Sequence, residues 1–233
     1  MIPWLRKTDP PDAFPPVEKA LAEPDGLLCA GGDLSPARLL AAYQRGIFPW
    51  YSEGQPILWW SPDPRLVLFP DEFKVSRSLA KTLRNRGFRV SFDTAFAAVA
   101  TQCADSGARA QEGTWISPAM HAAYVELHSR GYAHSVEVWD NERLVGGLYG
   151  LKLGRVFFGE SMFSTERDAS KVALSHLVDA LRAQEVDLID CQVASAHLFS
   201  LGAKLIPRSE FVALVQRGTQ AIVPGPIALS VEA

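Results

Sequence analysis

A carboxylate, a hydroxyl, a thioether and an aromatic ring stand side by side at residues 160–163. They follow an apolar run at residues 156–158 and precede a strong helical pattern that begins at Ala169. Because Gly159 separates the apolar run from the carboxylate, we expect the strand to break there. Polar groups among large apolar side chains at a strand-to-helix junction are typical of a site for a partly apolar substrate. A strand that ends in a solvated glutamate fits the same pattern.

A second group of reactive side chains, Asp190, Cys191 and Gln192, lies on a predicted strand over residues 186–193. Side chains two apart on a strand point to the same side, so Asp190 and Gln192 form a candidate pair. Asp190 also fits as a carboxylate that caps a strand end. Cys191 and His197 would suit a cysteine hydrolase, but the opposite orientation of Cys191 favours a core position.

Three cations recur at i, i+4 and i+7 on the predicted helix over residues 75–86, namely Arg77, Lys81 and Arg84. This spacing places them on one helix face. Such a face can follow a phosphate backbone, and it can equally be a solvated helix surface.

Tryptophans stand in rigid or hinged loops of the sequence. Trp50, Trp59 and Trp60 lie between prolines, and Trp115 lies in a glycine-hinged loop at residues 111–118. Exposed rings of this kind can stack on nucleobases. Buried tryptophans instead fill a core, because each covers a large apolar area.

The composition is that of a soluble globular protein, with 233 residues, 48% hydrophobic residues and a formal net charge of −3. The negative charge argues against indiscriminate coating of nucleic acid. No apolar run is long enough for a membrane span, and the N-terminus does not read as a secretory signal. Three widely spaced cysteines indicate a reducing compartment and no zinc site. We therefore expect a cytoplasmic protein without a structural metal.

The chain divides into a small N-terminal domain, residues 1–62, and a larger domain, residues 63–233. The small domain contains one clear helix with Ser35 as its N-cap. In the larger domain, residues 132–159 predict a three-stranded meander, followed by a helix that Asp168 caps, a strand and further helices. Residues after Gly218 are expected to be a surface tail. This order predicts an α+β fold, an acetyltransferase-like (GNAT-like) mixed sheet with flanking helices.

Several motifs occur in one order along the chain, from about Gly26 to Pro207. They are Arg45-Gly-Ile-Phe-Pro-Trp50, Leu58-Trp-Trp-Ser-Pro-Asp-Pro-Arg65, Glu112-Gly-Thr-Trp-Ile116, His134-Ser-Val-Glu-Val-Trp139, Gly146-Gly-Leu-Tyr-Gly150, Gly159-Glu-Ser-Met-Phe-Ser164 and Asp190-Cys-Gln192. Together they closely resemble the leucyl/phenylalanyl-tRNA protein transferase family. The resemblance implies transfer of leucine or phenylalanine from aminoacyl-tRNA to the N-terminal arginine or lysine of an acceptor protein, which marks that protein for degradation. It implies no cofactor and no metal, and we expect a monomer.

The resemblance also assigns residues to roles. It implies that Trp50 and Trp115 hold the 3′-terminal adenosine of the tRNA, and that Glu160, Asp190 and Gln192 surround the reacting ester. The residues it implies for the aminoacyl side-chain pocket are Leu148, Phe157, Met162 and Leu177. A roomy apolar pocket should take leucine, phenylalanine or methionine and exclude charged side chains.

The reaction that this resemblance implies needs no covalent intermediate with the enzyme. An aminoacyl ester is a good acyl donor, and an α-amine has a pKa of roughly 7.7 to 8.0. Positioning the two groups can lower the barrier by roughly 7 to 11 kcal/mol. We expect Gln192 to orient the amine or stabilise the oxyanion, while Asp190 fixes Gln192 and is a candidate to accept a proton through it. We expect Glu160 to attract the cationic N-terminus of the acceptor.

Two positions depart from the family pattern. Ser195 stands where the pattern has an asparagine, which affects one polar contact. Leu177 stands where an aromatic residue is expected in the pocket, which should leave more space.

Two alternative functions have weaker support. A coenzyme A-dependent acyltransferase needs a glycine-rich phosphate turn that residues 161–168 lack, and a non-catalytic RNA-binding module leaves the pocket residues without a role.

Overall fold

The computed structural model describes residues 2–105 and 116–227. Near the N-terminus, four short strands form a sheet in the order β1-β2-β4-β3. They are β1 (Trp4–Leu5), β2 (Leu27–Gly31), β3 (Phe48–Pro49) and β4 (Leu58–Trp60). Helix α1 (Pro36–Tyr43) begins as predicted, because the Ser35 side chain accepts a hydrogen bond from the backbone N–H of Arg38.

The main sheet has seven strands in the order β11-β5-β10-β9-β8-β7-β6. Its strands are β5 (Arg65–Leu68), β6 (Arg89–Phe92), β7 (Ala133–Asp140), β8 (Arg143–Leu153), β9 (Val156–Ser164), β10 (Leu188–Gln192) and β11 (Lys204–Ile206). Strands β7, β8 and β9 form the predicted antiparallel meander, and β10 pairs with β9 in parallel. A helix connects β9 to β10, as a parallel connection requires. The predicted α+β class, a mixed sheet with flanking helices in acetyltransferase-like order, is confirmed.

Six further α-helices accompany this sheet within the described residues. They are α2 (Arg77–Asn85), α3 (Phe96–Asp105), α4 (Pro118–Ser129), α5 (Ala169–Ala183), α6 (Ala196–Ser200) and α7 (Arg208–Gly218). The expectation that Asp168 caps α5 through its side chain is wrong. Asp168 occupies the cap position with a left-handed backbone, φ 64°, but makes no side-chain cap bond. Its carboxylate binds the Lys171 ammonium instead, at 2.9 Å.

The predicted strand break at Gly159 is also wrong, since β9 continues to Ser164. Gly159 pairs with Gly150, and Ser161 pairs with Tyr149. Glu160 is therefore the extra residue of a β-bulge. A bulge re-aims a side chain without ending the strand, which explains how a carboxylate can leave an apolar strand surface.

A single hydrophobic cluster joins the two parts of the chain. It contains Leu28 and Trp59 from the N-terminal part together with Val67, Tyr149 and Phe158 from the larger part. A second cluster lies between the sheet and α5. Trp59 is fully buried, so it fills the core and is not available for stacking on a base. The domain boundary after residue 62 stays a prediction.

The described end of the chain runs along the surface, as expected, and Val223 is 75% exposed. It is attached to the body of the protein at two points, because Gly225 donates a backbone hydrogen bond to the Gly131 carbonyl and Ile227 is buried. None of the helices within the described ranges is long and apolar enough to cross a bilayer. Within those ranges, no group of three or more histidine, cysteine or acidic residues could hold a metal ion.

Candidate active site

A cavity of about 300 Å³ opens beside the parallel pair β9 and β10, against α5 and α6. Eight of the site residues that the family resemblance implies line it. They are Leu148, Phe157, Glu160, Met162, Leu177, Asp190, Gln192 and Ser195. The fold thus brings together side chains that are up to 47 positions apart in the chain, counted from Leu148 to Ser195.

The inner wall of the cavity is apolar. Leu148, Phe157 and Leu177 are almost completely buried and belong to the cluster under α5. Leu174 and Ile189 extend the same wall. Such a surface favours an apolar group and leaves the charge of an ionic group without compensation.

One end of the cavity is polar because the bulge turns Glu160 toward three hydrogen-bond donors. The Tyr43 hydroxyl donates to Oε1 and the Tyr124 hydroxyl donates to Oε2, both at 2.7 Å. The Gln192 amide donates to Oε1 at 3.0 Å. The two tyrosine hydroxyl oxygens also lie within hydrogen-bond distance of each other. Because each hydroxyl has one hydrogen, a tyrosine that donates to the other tyrosine cannot at the same time donate to Glu160. Glu160 therefore sits at the centre of a network that α1, α4 and the end of β10 build together.

Burial raises the pKa of Glu160 to about 7. The hydrogen bonds from Tyr43 and Tyr124 oppose this shift, and the negative charge of Asp190 adds to it. Burial also raises the pKa of both tyrosines well above its usual value, and the Glu160 charge reinforces the effect. Both phenols therefore stay protonated near neutral pH, while Glu160 exchanges a proton in that range.

Asp190 is fully buried and forms a two-point ion pair with Arg65. Arg65 Nε lies 2.8 Å from one carboxylate oxygen and Nη2 lies 2.7 Å from the other. The guanidinium sits over the rings of Phe48 and Phe211, at 4.7 and 4.5 Å from their centroids. This pairing places a compensated charge beneath the cavity.

The end of β10 departs from regular alternation. The pairing with β5 shifts between Asp190 and Gln192, and Gln192 has a left-handed backbone with φ 62°. Its backbone N–H donates to Asp190 Oδ1 at 2.9 Å. The expectation that Cys191 points away from the site is wrong, because the shift places residues 190–192 all on the cavity wall. The Asp190 carboxylate does contact Gln192, at the backbone N–H of Gln192 and not at the Gln192 side-chain amide.

The geometry does not support a cysteine nucleophile. Burial, reinforced by the Asp190 charge, raises the pKa of the Cys191 thiol. The thiol faces the Ile189 carbonyl at 3.8 Å. Within residues 2–105 and 116–227, no hydrogen bond joins it to His197, so the thiol lacks a base.

Trp50 is 44% exposed and does not belong to the cavity wall. Its carbonyl accepts a hydrogen bond from the Trp60 indole, at 2.6 Å, which fixes the loop. The next residue, Tyr51, places its hydroxyl 3.4 Å from the Ser117 hydroxyl. The Trp50 loop therefore touches the segment that follows Trp115. Trp115 itself lies outside the described residues.

Arg77, Lys81 and Arg84 are exposed on one face of α2. None of them has an ion-pair partner in the part of the chain that the structure describes. Arg86, by contrast, pairs with Glu166 at 3.0 Å. The three cations thus keep their charge available to a partner, and the structure does not distinguish a phosphate contact from a solvated face.

Sequence reasoning missed three residues of the site, Arg65, Tyr43 and Tyr124. Arg65 carried a signal, since a charged side chain among the apolar residues of β5 needs a buried partner. Tyr43 stands at an apolar position of α1, and nothing local indicates that its hydroxyl reaches Glu160, 117 positions away. Tyr124 gave no separate signal, because its helix reads as ordinary core packing.

The sheet order and the cavity beside the β9–β10 pair define a protein of the acetyltransferase-like α+β class. Comparison of the sequence with models of known protein families identifies one family within this class. A model described as leucyl/phenylalanyl-tRNA protein transferase matches residues 67–216, and the model of the N-terminal domain of that family matches residues 32–63. The chain belongs to the leucyl/phenylalanyl-tRNA protein transferase family. It is accordingly an aminoacyltransferase that uses aminoacyl-tRNA and a protein acceptor.

Curated relatives agree with this assignment over nearly the whole chain. A leucyl/phenylalanyl-tRNA–protein transferase from Chromohalobacter salexigens is 65% identical over 212 residues, covering 91% of this chain and 82% of the relative. Relatives of the same name from an Azoarcus species and from Pseudomonas aeruginosa are 61% and 60% identical. They cover 97% and 93% of this chain, and 93% and 95% of their own lengths.

Solved structures resemble the chain more distantly. FemX has a TM-score of 0.46 at 10% identity, covering 78% of this chain and 71% of its own. A GCN5-related N-acetyltransferase from Kribbella flavida has a TM-score of 0.37 at 12% identity, covering 74% and 61%. The fold class therefore depends on the sheet topology described above.

Proposed function

We propose that this protein moves leucine, phenylalanine or methionine from aminoacyl-tRNA to the N-terminal arginine or lysine of acceptor proteins in the cytoplasm, which tags them for degradation. The α-amine of the acceptor attacks the aminoacyl ester directly. One observation carries the proposal: an apolar cavity ends at a carboxylate and an amide that are held in place by hydrogen bonds.

The cavity suits an unbranched or γ-branched apolar side chain. Its volume of about 300 Å³ is at the lower end of small-molecule sites. Leu148, Phe157, Met162 and Leu177 would contact the side chain. A charged side chain would lose its hydration there without gaining a partner, whereas leucine and phenylalanine would gain from burial. Because one methylene changes binding by only about 1 to 3 kcal/mol, the enzyme should be selective and not absolute.

The transfer step forms one bond and breaks one bond. The amine nitrogen bonds to the ester carbonyl carbon, and the bond from that carbon to the ribose oxygen breaks. The leaving ribose oxygen takes up a proton, and the attacking nitrogen loses one. In this proposal Glu160 accepts the proton from the nitrogen, because its raised pKa matches neutral pH. Gln192 holds Glu160 with one amide hydrogen and has a second hydrogen for the developing oxyanion.

Asp190 has a different task in this scheme. Both of its carboxylate oxygens are engaged by the Arg65 guanidinium. Asp190 holds the backbone N–H of Gln192 and so positions the amide that faces the ester. We therefore assign the proton to Glu160 and the positioning of Gln192 to Asp190. The Glu160 charge also attracts the cationic acceptor.

The donor end of the tRNA would lie outside the apolar wall. Trp50 is exposed next to the segment that follows Trp115, so the pair would hold the terminal adenosine by stacking. Ser195, on the cavity wall, would take the polar contact expected from an asparagine in the family. The exposed face of α2, with Arg77, Lys81 and Arg84, would contact the phosphate backbone farther along the tRNA.

Radiolabelled leucyl-tRNA and a peptide that begins with arginine test the proposal. Label should appear in the peptide without coenzyme A. The same peptide with an acetylated α-amine should stay unlabelled, because the nucleophile is blocked. Gln192→Ala should lower kcat by about a hundredfold with a small change in KM, since it removes a group that acts mainly in the transition state. Label that remains on the tRNA would rule the function out.

A further inference from the structure

Two cations share one carboxylate at the start of α5. The Lys171 ammonium lies 2.9 Å from Asp168 Oδ1, and Arg167 Nε lies 3.6 Å from Oδ2. Arg167 is 85% exposed and Lys171 is 32% exposed, whereas Asp168 is almost buried. The group therefore presents a net positive charge to solvent, with the negative member underneath.

This cationic group adjoins the cavity. Lys171 precedes Leu174 and Leu177 at intervals of three residues, so all three lie on one face of α5. Leu174 and Leu177 line the cavity, which places Lys171 one helical turn beyond its wall. His197, another residue of the wall, has a pKa lowered by burial and then by the Lys171 charge. The Lys171 charge is therefore close to the cavity edge.

The group also adjoins the basic helix α2. The Thr82 hydroxyl donates to Asp168 Oδ2 at 3.4 Å. Helix α2 therefore packs beside the Lys171 group through Thr82. Thr82 lies on a different face of α2 from Arg77, Lys81 and Arg84, because successive residues are about 100° apart around a helix. The α2 cations and the Lys171 group are thus two separate positive surfaces on neighbouring helices.

We propose that Lys171 and Arg167 bind the phosphodiester groups of the single-stranded 3′ end of the donor, directly upstream of the terminal adenosine. The inference depends on the proposed function, which places the aminoacyl group in the cavity. The RNA 3′ end that enters the cavity brings negatively charged phosphates toward the carboxylates of Glu160 and Asp190. A cation at the rim offsets the repulsion between these phosphates and carboxylates. The α2 cations lie farther from the cavity and would contact phosphates that only a longer donor carries.

Three donors of increasing length separate these contacts. Leucyl-adenosine has no phosphodiester, a leucyl cytidine-cytidine-adenosine trinucleotide has two, and leucyl-tRNA has the complete backbone. Lys171→Met should raise the KM of the trinucleotide and of the tRNA by about tenfold, the usual weight of a hydrogen bond to a charged group. The KM of leucyl-adenosine should not change. Reversing the charges of Arg77, Lys81 and Arg84 should affect leucyl-tRNA alone.

Salt dependence gives a second readout. Each single-strand phosphate that a cation neutralises contributes about 0.7 to the slope of log affinity against log salt. Lys171→Met should reduce that slope for the trinucleotide by about this amount, and Lys171→Arg should restore it. A purely structural role for the Lys171–Asp168 pair would leave the slope unchanged.

Lys204→Met is the matched control. Lys204 also pairs with a carboxylate, Glu72 Oε1 at 2.7 Å. It lies beside the short turn that contacts Arg182 at the opposite end of α5. The control should leave all three KM values unchanged. Arg167→Ser alters a mostly exposed side chain and, like Lys171→Met, should raise the KM of the trinucleotide. It therefore tests the phosphate contact if Lys171→Met does not fold, and an unchanged KM would then overturn the proposal.

Equal effects of Lys171→Met on all three donors would place Lys171 inside the aminoacyl site and overturn the phosphate contact. No effect on any donor would overturn it as well. If the unmodified protein transfers label from none of the donors, the proposed function fails, and this outcome is distinct from the other two.

Discussion

Glu160 combines a buried carboxylate with three hydrogen-bond donors, and the balance between these effects sets its proton affinity. Loss of hydration raises the pKa, and the bonds from Tyr43, Tyr124 and Gln192 recover only part of the lost hydration energy. A carboxyl group with a pKa of about 7 can both attract a cation and take a proton at neutral pH. The residue therefore has the properties that the proposed transfer requires.

Glu160→Gln should remove one ionisation from the pH profile of kcat/KM. Below about pH 6, one unit under the Glu160 pKa, the unmodified enzyme needs two deprotonated groups, Glu160 and the acceptor amine, so log kcat/KM should rise with a slope near 2. The variant should show a slope near 1 and a kcat lower by about a hundredfold. Transfer assays from pH 5.5 to 8.5 measure both quantities. A slope near 2 in the variant would show that Glu160 is not the proton acceptor.

The same substitution should change how stability depends on pH. The folded state raises the pKa of Glu160 from 4.5 to about 7, so it binds the proton more tightly than the unfolded chain does. The stabilisation is complete below about pH 4.5 and is lost as the pH rises through about 7. Urea denaturation across this range should show the difference between Glu160→Gln and the unmodified protein changing with pH. A constant difference would contradict the raised pKa.

Arg65→Met should destabilise the fold by about 3–5 kcal/mol, because it leaves the buried Asp190 charge unpaired. Arg155→Met is the control, since Arg155 and Asp187 form an exposed pair at 2.6 Å. Exposed pairs contribute little, so the control should barely move the urea midpoint. Similar midpoints for the two variants would mean that Asp190 does not depend on Arg65.

Among the elements, the bulge between β8 and β9 decides where the site forms. Two glycines face each other at the bulge, Gly150 on β8 and Gly159 on β9, and they have different space around them. A Cβ at Gly150 would lie 2.2 Å from the Phe158 carbonyl oxygen and 2.7 Å from the Phe157 ring. A Cβ at Gly159 would lie 3.4 Å from the Asp190 carbonyl oxygen, an ordinary contact. The bulge therefore requires glycine on β8 and not on β9.

Gly150→Ala should lower the free energy of unfolding by about 1–3 kcal/mol, as expected for overpacking against backbone. Gly159→Ala should have a much smaller effect, because the added methyl group fits and the unfolded chain loses entropy. Thermal denaturation of the two variants gives the comparison. A larger loss in Gly159→Ala would contradict the pairing of these strands.

In the whole molecule, the N-terminal part packs against the larger part and also contributes side chains to the candidate active site. Phe48 packs on the Arg65 guanidinium, and Tyr43 reaches the Glu160 carboxylate. The hydrophobic cluster runs without interruption from Leu28 and Trp59 to Val67. The two parts therefore depend on each other for a core and for a complete site.

We expect the chain to unfold in one cooperative transition. Calorimetric and van't Hoff enthalpies should agree, because the shared core prevents either part from keeping its packing alone. A fragment of residues 63–233 should lack a sharp transition, since it exposes the apolar surface that Trp59 and Leu28 cover. Two separate calorimetric transitions would contradict this and would favour an autonomous N-terminal domain.

The resemblance of the motifs to a known family supplied the apolar set Leu148, Phe157, Met162 and Leu177. The amino-acid sequence by itself determined most of the elements and the meander order. It did so because alternation and helical spacing follow from local backbone geometry. Only the tertiary structure decided that β9 continues past Gly159, that β10 shifts at Gln192, and that Asp190 pairs with Arg65. A bulge or a buried ion pair arises from contacts between segments far apart in the chain. Local pattern can therefore indicate that Arg65 needs a buried partner, but not that the partner is Asp190.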